Sequence, residues 1–170
     1  KADARRMIAG GAPGGDWRER LDRALDTSNR AGAAATIEHS IRPAMTQFAQ
    51  ELESRGQTAN VTEEQVEGES LPNLMLQVDF GDATSFVYQV CPHRMRTPNF
   101  IPADDDFYVR LDVYLAEGGQ DKDLNGYTRG QVIGDLVAEY ERHLQFLALA
   151  GGHAQAMPGT IGEPPEDAQM

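Results

Sequence analysis

The sequence predicts an α+β domain, an antiparallel meander of about four strands with helices packed on one face. Three observations predict it. Apolar residues recur at helical spacing near both ends of the chain and at period two only in its middle. The period-two runs follow one another with no helical pattern between them, as antiparallel neighbours do. Helices gathered at the two ends of the order argue against alternating βαβ units.

The first helical pattern opens at Asp16, with Glu19 three residues on, a capping-box spacing in which Asp stands for Ser or Thr. Trp17, Leu21 and Leu25 then form one apolar stripe, and the helix runs to about Thr27. Trp17, the single tryptophan, reads as a core anchor. Residues 29–32 end this helix. Thr36 is the next N-cap candidate, followed by Ile37, Ile41, Met45, Phe48 and Leu52 on one helical face and Gly56 as the stop. Pro43 falls inside this run. The stripe keeps its phase across the proline, which favours one kinked helix over two pieces.

Leu74, Leu76, Val78 and Phe80 alternate with Met75, Gln77 and Asp79, a half-buried strand, and Gly81-Asp82 supplies a turn. Phe86, Tyr88 and Val90 continue as the second arm of a hairpin. Phe107, Val109, Leu111, Val113 and Leu115 give the longest strand, and residues 59–67, with Thr-Glu-Glu-Gln at their centre, read as an exposed edge. Residues 92–106, with three prolines, and residues 118–127, rich in Asp, Gly and Asn, read as loops. A last helix starts at a Thr128/Gln131 capping box, carries Val132, Ile133, Leu136, Val137, Tyr140, Leu144 and Leu147, and stops at Gly151-Gly152.

Leu, Ile, Val and Phe account for 34 of 170 residues, and 32 of those lie between Trp17 and Leu149. The reading is therefore one α+β domain over 17–149, a flexible linker with a basic start over 1–16, and a disordered tail over 150–170. The chain opens on Lys1 without a signal-peptide pattern and reads as a piece of a longer protein.

A formal net charge of −12 disfavours nucleic-acid phosphates as a partner. One cysteine, Cys91, excludes an intramolecular disulfide and a Cys-rich zinc site; beside Pro92 it reads as a buried or half-buried thiol. His39, His93, His143 and His153 show no metal-ligand spacing, no serine sits in a nucleophile-elbow context, and no phosphate-binding glycine loop follows a strand. Asp121, Asp123, Asn125 and Gly126 match the start of a calcium loop, but its twelfth position is Val132, so the segment reads as a solvated turn. No catalytic or metal site and no cofactor is assigned; the expectation is a protein that is not an enzyme. One face of the longest strand carries Tyr108, Asp112 and Tyr114, a candidate ligand set for a small cation.

Several long segments carry a resemblance. WRERLDRAL at 17–25, IRPAMTQFAQELESRG at 41–56, FVYQV at 86–90, FYVRLDVYLAEGGQDKDLNGYT at 107–128 and QVIGDLVAEYERHLQF at 131–146 are similar, in this order, to the cytoplasmic C-terminal region of choline carriers in the betaine/choline/carnitine transporter family. The resemblance implies a regulatory, osmosensing domain of a bacterial secondary transporter that imports choline for glycine betaine synthesis. It implies the transporter's membrane domain as partner, a trimer in the intact protein, and a place at the cytoplasmic face of the inner membrane, near anionic lipid. The family's substrate cage lies among membrane helices, so no substrate residue carries over to this chain.

Overall fold

The computed structural model describes residues 17–25, 32–81, 83–103 and 105–156. The predicted runs become helix α1 (Trp17–Leu25), a helical run of α2 (Ala33–Thr36), a π-helical turn (Ile37–Ile41) and α3 (Arg42–Ser54), then five strands and helix α4 (Arg129–Ala156). The strands are β1 (Thr58–Glu64), β2 (Asn73–Phe80), β3 (Ala83–Arg96), β4 (Phe107–Leu115) and β5 (Gly118–Asp123). They lie in sequence order in one sheet, every pair antiparallel. The meander is therefore as expected, with five strands where four were counted.

The extra strand is β5. Its sequence, GGQDKD, has no apolar alternation and reads as a loop. Pairing with β4 at Tyr114↔Gly119 and Leu115↔Gly118 makes it a strand all the same. Gly118 has φ +120, which L side chains rarely adopt, and a Cβ on Gly119 would come within 3.2 Å of Tyr114 Cε1. The two glycines thus permit the tight turn and the close approach of the Tyr114 ring.

β3 also exceeds its expected length. It runs through Pro92, where a loop was expected, and pairs with β4 as far as Arg96↔Phe107. The ladder between β2 and β3 ends at Leu74↔Val90. Beyond Val90 the β2 side of β3 is open, so the missing N–H of Pro92 costs no ladder bond there.

Core residues alternate along the strands as period two requires. Leu74, Leu76, Val78, Phe86, Tyr88, Val90, Leu111, Val113 and Leu115 share the covered face and are buried. Against them lie Ile37, Ile41, Met45, Phe48 and Leu52 from the first helical run and Val132 and Leu136 from α4. Tyr140 is the meeting point of the layers: its ring sits 5.7 Å from Phe48, 5.3 Å from Phe86 and 6.0 Å from Phe80. The single run across Pro43 is observed. Dihedrals remain right-handed helical from Thr36 through Arg42, and the widened π turn immediately before Pro43 accommodates the lost N–H.

The α4 cap is as predicted: Gln131 N–H donates to Thr128 Oγ1 at 3.2 Å and Thr128 N–H donates to Gln131 Oε1 at 3.0 Å. Its end is not. The helix passes Gly151 and Gly152 and continues to Ala156. Asp16, the expected cap of α1, lies outside the described residues, as do the linker 1–16 and residues 157–170 of the expected tail.

Trp17 is corrected outright. It is 60% exposed, and Leu21 and Leu25 are 47% and 69% exposed, so the α1 stripe joins no core. The helical spacing was right; nothing in the spacing says whether another layer covers the stripe.

A buried hydroxyl ties the start of the helical run to the β5–α4 loop. Thr36 Oγ1 donates to Asn125 Oδ1 at 3.2 Å and accepts from Gly126 N–H at 3.1 Å. Thr36→Val keeps the shape and strands both partners, so it is expected to cost about 1–3 kcal/mol in urea unfolding. Thr46→Val, which removes only an exposed bond to Arg42 O, is expected to be near neutral.

Candidate functional site

The uncovered sheet face holds the polar residues singled out from the sequence. Asp112 projects from the middle of β4 and is 16% exposed in its side chain. His93 Nδ1, on β3, donates to Asp112 Oδ2 at 2.7 Å, and Arg110 Nε donates to Oδ1 at 3.0 Å. The Tyr114 ring stands edge-on to His93 at 5.8 Å. Asp112 and Tyr114 are thus brought together, with His93 between them. Tyr108 is on the same face but four residues from Asp112, a rise of about 13 Å, with Arg110 intervening. Both oxygens of Asp112 are engaged inside the chain, leaving its charge largely spent on His93 and Arg110.

Cys91 neighbours this cluster and is half-buried, as expected from its place beside Pro92. Burial pushes its thiol pKa up, and the charges of Asp112 and Glu64 push the same way, so the thiolate is disfavoured. The acidic turn also resolves into structure. Asp123 Oδ1 accepts from the backbone N–H of Leu111 and of Asn125, both at 2.9 Å. Asp121, with φ 49, turns its side chain to solvent within reach of Arg110. Among the described residues no three His, Cys, Asp or Glu side chains converge as a metal site.

A second polar cluster, between the covered sheet face and α4, is invisible in the sequence. Lys122 Nζ lies 2.5 Å from Asp135 Oδ1 and 3.4 Å from Glu139 Oε1, while Tyr88 OH donates to Asp135 Oδ2 at 2.5 Å. Arg142 Nη2 faces Glu139 Oε2 at 2.7 Å without hydrogen-bond alignment and reaches Glu117 at 2.7 Å. Burial raises the Tyr88 pKa well above its ordinary value, helped by the Asp135 charge. Burial alone would lower the Lys122 pKa, but Asp135 and then Glu139 outweigh it and raise it. The cluster fastens α4 to β3 and β5.

Among the described residues three surfaces are apolar and uncovered. One is the α1 stripe. Another is the end of β3–β4, where His93–Arg96 and Phe107–Arg110 pair only with each other as strands. This ribbon carries exposed Met95, Phe107 and Tyr108, and its connection carries Ile101 and Phe100, the latter 85% exposed. Arg94 lies over the Phe107 ring at 4.3 Å. The third is the C-terminal part of α4, where Leu144, Phe146 and Leu149 are exposed. Sequence reasoning placed Phe107 and Leu144 on buried faces, because period alone does not show where the opposite layer stops.

No family model matches the chain. Curated relatives do. It is 36% identical over 149 residues to the "High-affinity choline transport protein" of Escherichia coli (strain K12), covering 84% of this chain and 22% of that protein. It is also 36% identical over 138 residues to the "Osmo-dependent choline transporter BetT2" of Acinetobacter baylyi, covering 79% of this chain and 20% of that protein. The chain belongs to the BetT transporter family. The "Glycine betaine transporter" of Acinetobacter baylyi is 29% identical over 139 residues, 78% of this chain and 20% of that protein. The BetT-like chain spans about a fifth of the length of the curated relatives it matches. None of its helices, among the described residues, is long and apolar enough to cross a membrane.

Proposed function

We propose that this BetT-like chain is the cytoplasmic C-terminal regulatory domain of a choline secondary transporter, one that imports choline for glycine betaine synthesis. It performs no turnover of its own. It acts by docking onto, or releasing, the membrane domain of the same transporter, which works as a trimer at the inner membrane. In this reading residues 1–16 are the juxtamembrane linker, 17–149 the regulatory body and 150–170 a mobile tail.

The observation that carries the reading is the pairing of two facts. The match to transporters, one of them named osmo-dependent, covers most of this chain and a fifth of theirs. The matched piece also closes a hydrophobic core of its own while leaving apolar surface uncovered at α1, the ribbon and α4.

The charge supplies a physical signal. The body over 17–149, with 12 basic and 22 acidic residues, carries a net charge of −10 and is repelled by an anionic membrane face. Screening shortens that repulsion from a range of about 10 Å at 0.1 M salt to about 3 Å at 1 M. Rising internal ionic strength after osmotic upshift therefore lets the body approach the membrane part. Choline uptake by the full-length transporter is the test. Removing residues 17–170 is expected to flatten the dependence of uptake on osmolality while transport itself persists. An osmotic response equal to that of the intact transporter removes the assignment.

A further inference from the structure

The ribbon at the end of β3–β4 is built by the fold and unused by its core. A two-stranded ribbon is marginal in water on its own. Yet His93–Arg96 and Phe107–Arg110 carry the ladder past the rest of the sheet. Met95 and Tyr108, cross-strand partners, are 41% and 42% exposed, and Phe100 on the connection is 85% exposed. Arg94, over the Phe107 ring, completes a set of Met, Phe, Tyr and Arg, the residue types enriched at protein interfaces. No described strand flanks the β2 side of β3 over His93–Arg96, so the backbone there is open to a further strand.

Its place in the fold singles out what the ribbon faces. The helical run starts at the ribbon's root. Ala33–Thr36 touches β4, and Asn125, which accepts from Thr36 Oγ1, donates from Nδ2 to Val109 O at 3.4 Å. The chain therefore enters the body, through residues 26–32, on the side from which the ribbon projects. Those residues span at most about 25 Å. α4 runs the other way. Its contacts with β3 pass from Asp135 at Tyr88, through Tyr140 at Phe86, to His143 at Thr84 O. Leu144, Phe146 and Leu149 thus lie at the far end, by the β2–β3 turn.

We infer that the β3–β4 ribbon is the surface through which this body docks onto a cytoplasmic protein surface of its own transporter's membrane part. The inference rests on the proposed function for what precedes residue 17. About four-fifths of the relatives' length lies outside the match, and in that reading the membrane part is reached through the linker. The tether then presents the ribbon to it, and not the end of α4, at high effective concentration. Protein is the occupant rather than lipid for two reasons. Exposed Asp105 and Asp106 end the connection and are repelled by anionic headgroups. Lipid also offers no partner to an open strand edge, whereas an extended protein segment does.

The experiment uses the full-length transporter in its membrane. A protease site is placed in residues 10–15, and the photo-reactive residue benzoylphenylalanine replaces Phe100 or, separately, Leu149. After irradiation and cleavage, the body is expected to stay covalently attached to the membrane part with the probe at Phe100 and to come free with the probe at Leu149. With the probe at Phe100, Met95→Asp is expected to lower the attached fraction at least about threefold. Urea unfolding of the 170-residue chain is expected to be unchanged by it, because Met95 is not part of the core. A body freed with both probes overturns the inference, as does attachment from Leu149 at the yield of Phe100 or above. Adducts of Phe100 with lipid alone, or with the body of a second copy alone, overturn the protein partner. Uptake separates this contact from the regulatory role. A Phe100 adduct beside an osmotic response that survives removal of residues 17–170 supports the contact and removes the role. A flattened response without the adduct keeps the role and overturns the contact.

Discussion

Asp135→Ala is expected to destabilise the domain by about 3 kcal/mol and to lower Tm by roughly 6–12 °C. Asp135 is the shared acceptor for the Lys122 ammonium and the Tyr88 hydroxyl, at 2.5 Å from each. Its removal leaves Tyr88, which is fully buried, with a hydroxyl lacking that partner, and leaves Lys122 with only the longer contact to Glu139. Urea unfolding measures the loss. The triple change Asp135→Leu, Lys122→Met and Tyr88→Phe removes the whole set and is expected to recover most of it, since an apolar replacement strands no charge. A single Asp135→Ala as stable as the parent refutes the cluster's role. The pH dependence has a definite sign. The folded-state pKa of Tyr88 and of Lys122 is raised above the ordinary 10.0 and 10.5, so each holds its proton more tightly when folded. Their contribution is complete below about pH 10 and falls as pH rises above it, because the unfolded chain then binds fewer protons. Tyr88→Phe is expected to flatten part of that alkaline loss.

Leu76→Ala is expected to cost about 3 kcal/mol, and Trp17→Ala almost nothing. Leu76 is fully buried in mid-β2, in a row that runs Val61, Leu76, Tyr88, Leu115 across four strands. Truncation leaves a cavity that neighbouring strands, fixed in register, cannot close. Trp17 is larger and rarer, yet its indole is mostly in solvent. Denaturant melts of the two variants side by side check the contrast. A loss at Trp17 matching that at Leu76 places α1 in the core after all.

Periodicity made most of the fold legible. The phases of the two long helical runs, the inward faces of β2, β3 and β4, the β1 edge and the Thr128/Gln131 cap are each specified by residues close in sequence. A strand with no alternation, such as β5, is defined by its neighbour's register and could not be read. The candidate set Tyr108, Asp112 and Tyr114 was read correctly as one strand face, but the spacing along β4 and the claims of His93 and Arg110 on Asp112 come from cross-strand neighbours. The Lys122–Asp135–Tyr88 cluster joins residues up to 47 apart, and no local pattern marks it.

By itself the sequence determined which side of each element is apolar, the order of elements, the acidic balance and the likeness to transporters. Only the tertiary structure decided which apolar sides are covered. Burial is a property of two surfaces that meet, and a stripe such as that of α1, or a strand end such as Phe107, encodes only one of them.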